Sequence, residues 1–140
     1  MTETSKEIRL TVTPYLYYED VERALAWLSN AFGFVDRESE TMRNDDGRVV
    51  HASMVVGDEI ILMGCPGPSY KCPKRSGHVS QNLYVYVDDV EQHFARSKRA
   101  GAEIISELED TFYGDRNYGV EDLEGHRWYF SRQLKQLDSK

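Results

Sequence analysis

Two eight-residue stretches about half a chain apart repeat one pattern: residues 15–22 read YLYYEDVE and residues 84–91 read YVYVDDVE. In each copy a strand-like run ends at an aspartate, a residue that commonly caps the start of a helix. An amphipathic run follows, and it ends at Gly33 in the first copy and at Gly101 in the second. Glycine readily adopts the left-handed conformation that closes a helix. The repeat therefore predicts two copies of a strand–helix unit.

Three strand-like runs follow each predicted helix. Turn residues separate them at 44–47 (Asn-Asp-Asp-Gly), at 57–58 (Gly-Asp) and at 122–125 (Asp-Leu-Glu-Gly). The sequence thus predicts an α+β protein of two tandem βαβββ modules, module one over about residues 10–64 and module two over about 81–132. A Pro-rich linker joins them over about residues 65–80. The predicted strands are 34–42, 48–56 and 59–63 in module one, and 102–112, 115–121 and 126–132 in module two.

The amino-acid composition argues against two classes of binding partner, nucleic acids and membranes. The 140 residues carry 17 Lys and Arg against 24 Asp and Glu, a net charge of −7, so the chain lacks the basic balance that nucleic-acid binding needs. No apolar run is long enough to span a membrane. Residues 1–7 contain no apolar stretch of a signal peptide. We therefore expect a cytoplasmic protein with reduced thiols at Cys65 and Cys72, and neither nucleic acid nor membrane as a partner.

Five stretches carry a resemblance to a known family: residues 14–22, 47–52, 83–90, 113–116 and 122–130. In these stretches the chain resembles the vicinal oxygen chelate superfamily, which includes glyoxalase I, extradiol dioxygenases, fosfomycin-resistance enzymes and bleomycin-resistance proteins. The resemblance implies one domain over residues 1–140, in which each module curls its mixed sheet into a cup, with the helices outside. It also implies that the two cups form one cavity and that the chain forms a homodimer.

Metal enzymes of this superfamily place a ligand on the first and the last strand of each module. By resemblance, these positions fall on Thr13, on Ile61 or Leu62, on Asn82 and on Tyr129. None of these side chains is a good ligand for a divalent metal, which prefers imidazole, thiolate or carboxylate. The sequence therefore predicts no metal cofactor.

Strand alternation predicts which side chains face the cups instead. Leu83, Val85 and Val87 are aliphatic and belong under a helix, so the intervening residues face the other way. The same alternation places Tyr15 and Tyr17 toward the cup on the first strand of module one, and Arg127 and Tyr129 on the last strand of module two. On the predicted strand 48–56 it places His51 toward the cup. A tyrosine ring offers a flat apolar face and a polar tip, which suits a partly aromatic or cationic small molecule. The expected ligand-binding residues are Tyr15, Tyr17, His51, Asn82, Tyr84, Tyr86, Arg127 and Tyr129.

Other interpretations of the same residues remain open. The tyrosines are good strand formers and suit a sheet face covered by a dimer partner without any ligand. The chain is alternatively a glyoxalase-like lyase or isomerase, or a dioxygenase, whose relocated Zn, Ni, Fe or Mn site uses His51 with Glu59 or Glu121. A metal-independent enzyme with His51 as its base is a further alternative.

Several residues near these positions are assigned structural roles. His93 and His78 are expected on the surface, and His126 is expected to hold a turn. Asp115 and Arg116 are expected to form a solvated pair; alternatively, Arg116 and Tyr113 guard the mouth of the cavity.

Overall fold

The computed structural model describes residues 10–134. The expectation about residues 1–7 lies outside this range. The chain divides into a first unit that ends at Cys72 and a second that begins at Pro73. Cys65 and Cys72 both carry free thiols. Among the described helices, none has the length and apolar character to cross a membrane.

Over residues 10–72, the first unit contains one α-helix and a five-stranded sheet. The sheet order is β1-β5-β4-β2, with β3 also paired to β4. The first strand runs parallel to the last, and the other pairs are antiparallel. The elements are β1 (Tyr15–Tyr17), α1 (Val21–Phe32), β2 (Val35–Asp36), a 3₁₀ turn (Glu38–Glu40), β3 (Met42–Arg43), β4 (Val49–Val56) and β5 (Glu59–Gly64).

The second unit repeats this arrangement with a four-stranded sheet in the order β6-β9-β8-β7. Its first strand again runs parallel to its last. The α+β class and the doubled strand–helix–three-strand order are therefore confirmed, except that the first of the three strands in the first unit is divided into β2 and β3. The elements are α2 (Pro73–Ser76), which falls within the predicted linker, β6 (Asn82–Tyr86), α3 (Val90–Arg99), β7 (Glu103–Asp110), β8 (Asp115–Glu121) and β9 (Arg127–Gln133).

Helices α1 and α3 begin directly after the predicted capping residues, and each ends within two residues of its predicted glycine. The Asp20 side chain accepts a hydrogen bond from the Arg23 backbone N–H at 3.0 Å, and Gly33 closes α1 with a φ of 78°. Asp89 caps α3 in the same way through Gln92. The amphipathic run predicted after Asp20 is confirmed as a helix with a buried apolar face, formed by Val21, Ala24, Leu25, Leu28 and Phe32.

The predicted strand over residues 34–42 is wrong in its middle. Both β2 and β3 pair with β4, but more residues lie between Asp36 and Met42 than between their partners Met54 and His51. The extra residues between β2 and β3 cannot pair in register with β4, and part of them forms the 3₁₀ turn Glu38–Glu40. Alternation within the sequence does not reveal such a mismatch between two strands.

Helix α3 buries polar side chains that the sequence places on the surface. His93 is half-buried, with its ring 3.9 Å from that of Phe130 and its Nδ1 2.5 Å from the Tyr118 hydroxyl. The expectation that His93 lies on the surface is therefore wrong. Ser97 also contacts the Tyr118 hydroxyl, at 2.7 Å, and burial raises the pKa of Tyr118. Because these polar groups satisfy one another, α3 buries them alongside Val90, whereas Ala95 on the same helix is exposed.

Two arginines from the second sheet bind the first turn of α3. Glu91 accepts hydrogen bonds from Arg116 at 2.5 Å and from Arg132 at 2.8 Å. Arg116 also binds Asp110 at 2.6 Å. Arg116 is therefore committed to this cluster, and the expectation that it forms a pair with Asp115 is wrong. The hydrogen bonds from Arg116 and Arg132 lower the pKa of Glu91 to about 2.

This cluster predicts an acid-dependent loss of stability. Because the pKa of Glu91 is lower in the folded chain than in the unfolded one, its contribution is complete above about pH 5 and is lost as the pH falls towards about 2. We expect the urea midpoint of the wild type to fall more steeply over this window than that of Glu91→Gln. Glu107→Gln, a change at an exposed glutamate of β7, is the matched control. Equal pH dependence of wild type and Glu91→Gln would contradict the prediction.

Candidate functional site

In the first unit, the predicted site residues lie together on one face of the sheet. Tyr15 and Tyr17 are each 50 % exposed, whereas Leu16 between them is 6 % exposed. The Tyr15 hydroxyl lies 3.0 Å from His51 Nδ1, and the rings of Tyr15 and Tyr17 meet edge to face at 6.0 Å. Tyr70, which sequence reasoning missed, donates a hydrogen bond to the Tyr17 carbonyl at 3.1 Å. Its position in the linker gives no periodic signal.

The register of β1 and β5 decides between Ile61 and Leu62. Leu62 pairs with Tyr15 and shares its face, while Ile61 is 3 % exposed. The position that the resemblance gives as a metal-ligand position therefore holds a leucine, which has no donor atom. Glu59, a suggested partner of His51, pairs with Val56 at the opposite end of β5 from Gly64, the residue that pairs with His51. The expectation that Glu59 lies beside His51 is wrong.

In the second unit, alternation places the side chains as predicted. Asn82, Tyr84 and Tyr86 are the exposed residues of β6. In register beside them on β9 lie Arg127, Tyr129 and Ser131. Trp128 and Phe130, the alternating residues of β9, are both 0 % exposed. The predicted site residues of this unit therefore share one face of the sheet.

The Tyr84 hydroxyl is the centre of a hydrogen-bond network on this face. It donates to Asp115 Oδ2 at 2.8 Å, receives a hydrogen bond from Asn117 Nδ2 at 3.0 Å and lies 3.1 Å from Ser131 Oγ. Tyr86 donates to the same Asp115 oxygen at 3.1 Å. Burial raises the pKa of Tyr84 to about 12, and the hydrogen bond to Asp115 acts in the same direction. Tyr84 is therefore protonated at neutral pH.

A pocket of about 480 Å³ opens over this network. One wall is the β7–β8 turn, which is fixed by a hydrogen bond from the Asp115 backbone N–H to Thr111 Oγ1 at 3.0 Å. Phe112 on that turn is fully exposed, and its ring meets that of Tyr113 edge to face at 5.2 Å. The lining residues are Asn82, Tyr84, Ser106, Glu109, Asp110, Thr111, Phe112, Tyr113, Asn117 and Tyr129.

In the second unit, sequence reasoning missed Asp115 and Asn117 as site residues. Asp115 is 5 % exposed rather than solvated, and Asn117 is 4 % exposed. Their alternation along β8 is a signal that could have placed them on one face. Arg127, by contrast, forms an ion pair with Glu121, with Nε and Oε2 3.5 Å apart. This pair occupies Glu121, the second carboxylate suggested as a partner of His51.

A divalent metal does not fit the side chains at the four positions that the resemblance gives as ligand positions. In the first unit these are Thr13 and Leu62, and in the second unit Asn82 and Tyr129. A hydroxyl, an aliphatic chain, an amide and a phenol are poor donors for such ions. Across residues 10–134, no three His, Cys, Asp or Glu side chains are grouped so that they could hold a metal ion.

Gly119 on β8 sets the position of the Tyr129 ring. A Cβ added at Gly119 would lie 2.7 Å from Tyr129 Cε2 and 3.2 Å from Ile105 Cγ1. We expect Gly119→Ala to displace the ring and to lower the free energy of unfolding by about 1–3 kcal/mol, measured by urea unfolding. In a Tyr129→Ala background the same change should cost much less, because the clashing ring is gone. An equal cost in both backgrounds would contradict this account.

The model of the glyoxalase/bleomycin resistance protein/dioxygenase superfamily matches residues 9–130, and the chain belongs to this superfamily.

Relatives with known sequences or structures support the assignment. The uncharacterized protein Rv0887c of Mycobacterium tuberculosis is 27 % identical over 133 residues, which cover 91 % of this chain and 76 % of that protein. TioX from Micromonospora sp. ML1 is 35 % identical, with a TM-score of 0.69 over 92 % of this chain and all of TioX. The fosfomycin resistance protein FosX from Listeria monocytogenes shares the fold at 13 % identity, with a TM-score of 0.65 over 90 % of this chain and 94 % of FosX.

Proposed function

We propose that this protein binds and sequesters a small, partly aromatic or cationic molecule in the pocket of its second unit, without the metal of its enzymatic relatives. The observation that carries the proposal is the convergence of Asp115, Asn117 and Ser131 on the Tyr84 hydroxyl at the base of that pocket. These bonds come from two neighbouring strands, β8 and β9, and hold the Tyr84 side chain in place before any ligand arrives. A preorganised site loses less entropy on binding.

The pocket has the size and chemistry of a small-molecule site. Its volume of about 480 Å³ lies within the range of about 300–1,000 Å³ that is typical of ligand pockets. Tyr84, Tyr113 and Tyr129 supply flat faces for stacking. Asn82 and Asn117 supply amides that fix the orientation of polar groups. Such a lining favours a planar ligand with few polar substituents.

A thermal-shift screen of planar compounds, followed by calorimetry, tests the proposal. A binder at about a hundredfold excess over its Kd should raise the Tm by about 5–10 °C. Tyr129→Leu should weaken the binding of that compound by about tenfold, because one stacking face is lost. Tyr17→Leu is the matched control, since it removes a tyrosine of the first unit. Failure of every planar or cationic compound, or an equal loss in both variants, would contradict the proposal.

The form of the protein in solution is part of the same proposal. We expect a cytoplasmic homodimer that is isolated without stoichiometric metal. Val35 and Met42, on the short strands β2 and β3, are 60 % and 58 % exposed, and such apolar strand edges favour self-association. Light scattering after gel filtration should give twice the monomer mass, and metal analysis of the same fraction should find less than one equivalent. A monomer, or a full equivalent of Zn, Ni, Fe or Mn, would contradict these expectations.

One observation favours a second function, metal-independent acid–base catalysis in the first unit. The Tyr15 hydroxyl lies 3.0 Å from His51 Nδ1, and a positioned imidazole can take a proton from a bound substrate. The two functions differ in what becomes of the ligand. Mass spectrometry of the released compound should show it unchanged if the protein only sequesters. A product that forms with wild type but not with His51→Gln would favour the enzyme.

A further inference from the structure

Two tyrosines of β6 share a single buried carboxylate. Tyr84 and Tyr86 both donate to Asp115 Oδ2, at 2.8 Å and 3.1 Å. Their rings lie 5.4 Å apart at an angle of 37° and remain 40 % and 57 % exposed. Asp115 itself is 5 % exposed. Its charge therefore acts on a ligand through the two phenols rather than by direct contact.

No cation within residues 10–134 forms an ion pair with Asp115. The neighbouring Arg116 binds Asp110 and Glu91, and Arg132 binds Glu91. A hydroxyl that donates to an anion is polarised towards it, which leaves more electron density on its ring. Since cations are attracted to the electron-rich face of an aromatic ring, each of these phenols presents a stronger cation-binding face than an isolated tyrosine.

We propose that the ligand is an organic cation, held against the face of Tyr84 in the pocket lining and against the neighbouring ring of Tyr86 just outside that lining, and that Asp115 determines this charge preference without touching the ligand. This inference rests on the proposed function and narrows its ligand class. Glu109, exposed on the pocket lining, adds negative potential at the entrance. A carboxylate in direct contact would bind any ammonium group, whereas a pair of ring faces favours delocalised or alkylated cations such as quaternary nitrogen heterocycles.

Two probes that differ in charge but hardly in shape test the inference. N-methylquinolinium is a permanent planar cation, and 4-methylquinoline is its neutral counterpart in mildly alkaline buffer. We expect calorimetry to show wild type binding the cation about tenfold more tightly than the neutral probe. In Asp115→Asn, which retains a carbonyl acceptor for the two phenols but loses the charge, we expect the ratio of the two Kd values to approach one.

Two further variants test whether the preference for the cationic probe depends on Asp115 and on its hydrogen bonds to the tyrosines. Glu107→Gln removes the same charge from an exposed position of β7, and it should leave the ratio within about twofold of wild type, since exposed charges are largely screened. Tyr86→Phe retains a ring but loses the bond to Asp115. It should therefore reduce the ratio of the two Kd values to about half of the wild-type ratio. If Asp115→Asn does not fold, as judged by circular dichroism, Tyr86→Phe provides the test.

The outcomes separate this inference from the function on which it rests. Equal affinity of wild type for the two probes, or a ratio that neither Asp115→Asn nor Tyr86→Phe lowers, would overturn the inference and leave the binding function in place. Failure of both probes, together with failure of the wider screen, would overturn the binding function and the inference with it.

Discussion

Asp122→Ala is expected to lower the free energy of unfolding by about 3–5 kcal/mol. Asp122 is 1 % exposed in the turn between β8 and β9. Its Oδ1 accepts from the backbone N–H groups of Glu124 and His126, each at 3.0 Å, and its Oδ2 accepts from Trp128 Nε1 at 3.1 Å. Alanine would leave three donors without these bonds, and each buried donor left unsatisfied costs about 1–3 kcal/mol.

Urea unfolding followed by circular dichroism measures this loss. Asp122→Asn should fall between wild type and alanine, because its single carbonyl oxygen cannot serve both the turn and the indole. Asp88→Ala makes the same chemical change at an exposed position and should stay within about 0.5 kcal/mol of wild type. A loss below about 1 kcal/mol in Asp122→Ala would show that water or a rearranged turn replaces the carboxylate.

Leu28→Ala is expected to lower the free energy of unfolding by about 2–5 kcal/mol. Leu28 is 0 % exposed on the face of α1 that packs against β4. Ala24 and Ala31, the residues about one turn away on either side, are also 0 % exposed. Because their side chains are too short to fill the space, the truncation leaves a cavity, which adds to the lost transfer energy.

Arg23→Ala is the matched control for α1. Arg23 is exposed and only its backbone N–H binds the Asp20 cap, so this variant should stay within about 0.5 kcal/mol of wild type. Equal losses in the two variants, from urea unfolding monitored by tryptophan fluorescence, would mean that α1 contributes through its helical content rather than through its packed face.

The elements that local patterns specify could be predicted from the sequence. Asp20 and Gly33 fix the ends of α1 through hydrogen bonds between residues that are near in the chain. Period-two alternation, a property of each strand by itself, placed Tyr84 and Tyr129 on one face of their sheet. The same pattern placed Tyr15 and His51 together, since both lie on strands with a buried opposite face.

The parts that depend on register between distant strands could not be predicted. The choice between Ile61 and Leu62 follows from the pairing of β5 with β1, and the broken strand at 34–42 from two pairings with β4 that do not match. Asp115 was predicted to be solvated, because no residue near it in the chain indicates that two tyrosines of β6 cover it. His93 was misplaced for a similar reason, because its partner Tyr118 comes from another element.

The pairing of each unit's first strand with its last has a consequence during synthesis. In the finished sheet β1 lies at an edge, with β5 as its hydrogen-bonded neighbour, and β6 depends on β9 in the same way. At about 5–20 residues per second on the ribosome, the opening strand of each unit emerges several seconds before the strand that will hold it. During that interval its tyrosines are a target for chaperones or for another nascent chain, so slow translation between the two strands should reduce the yield of folded protein.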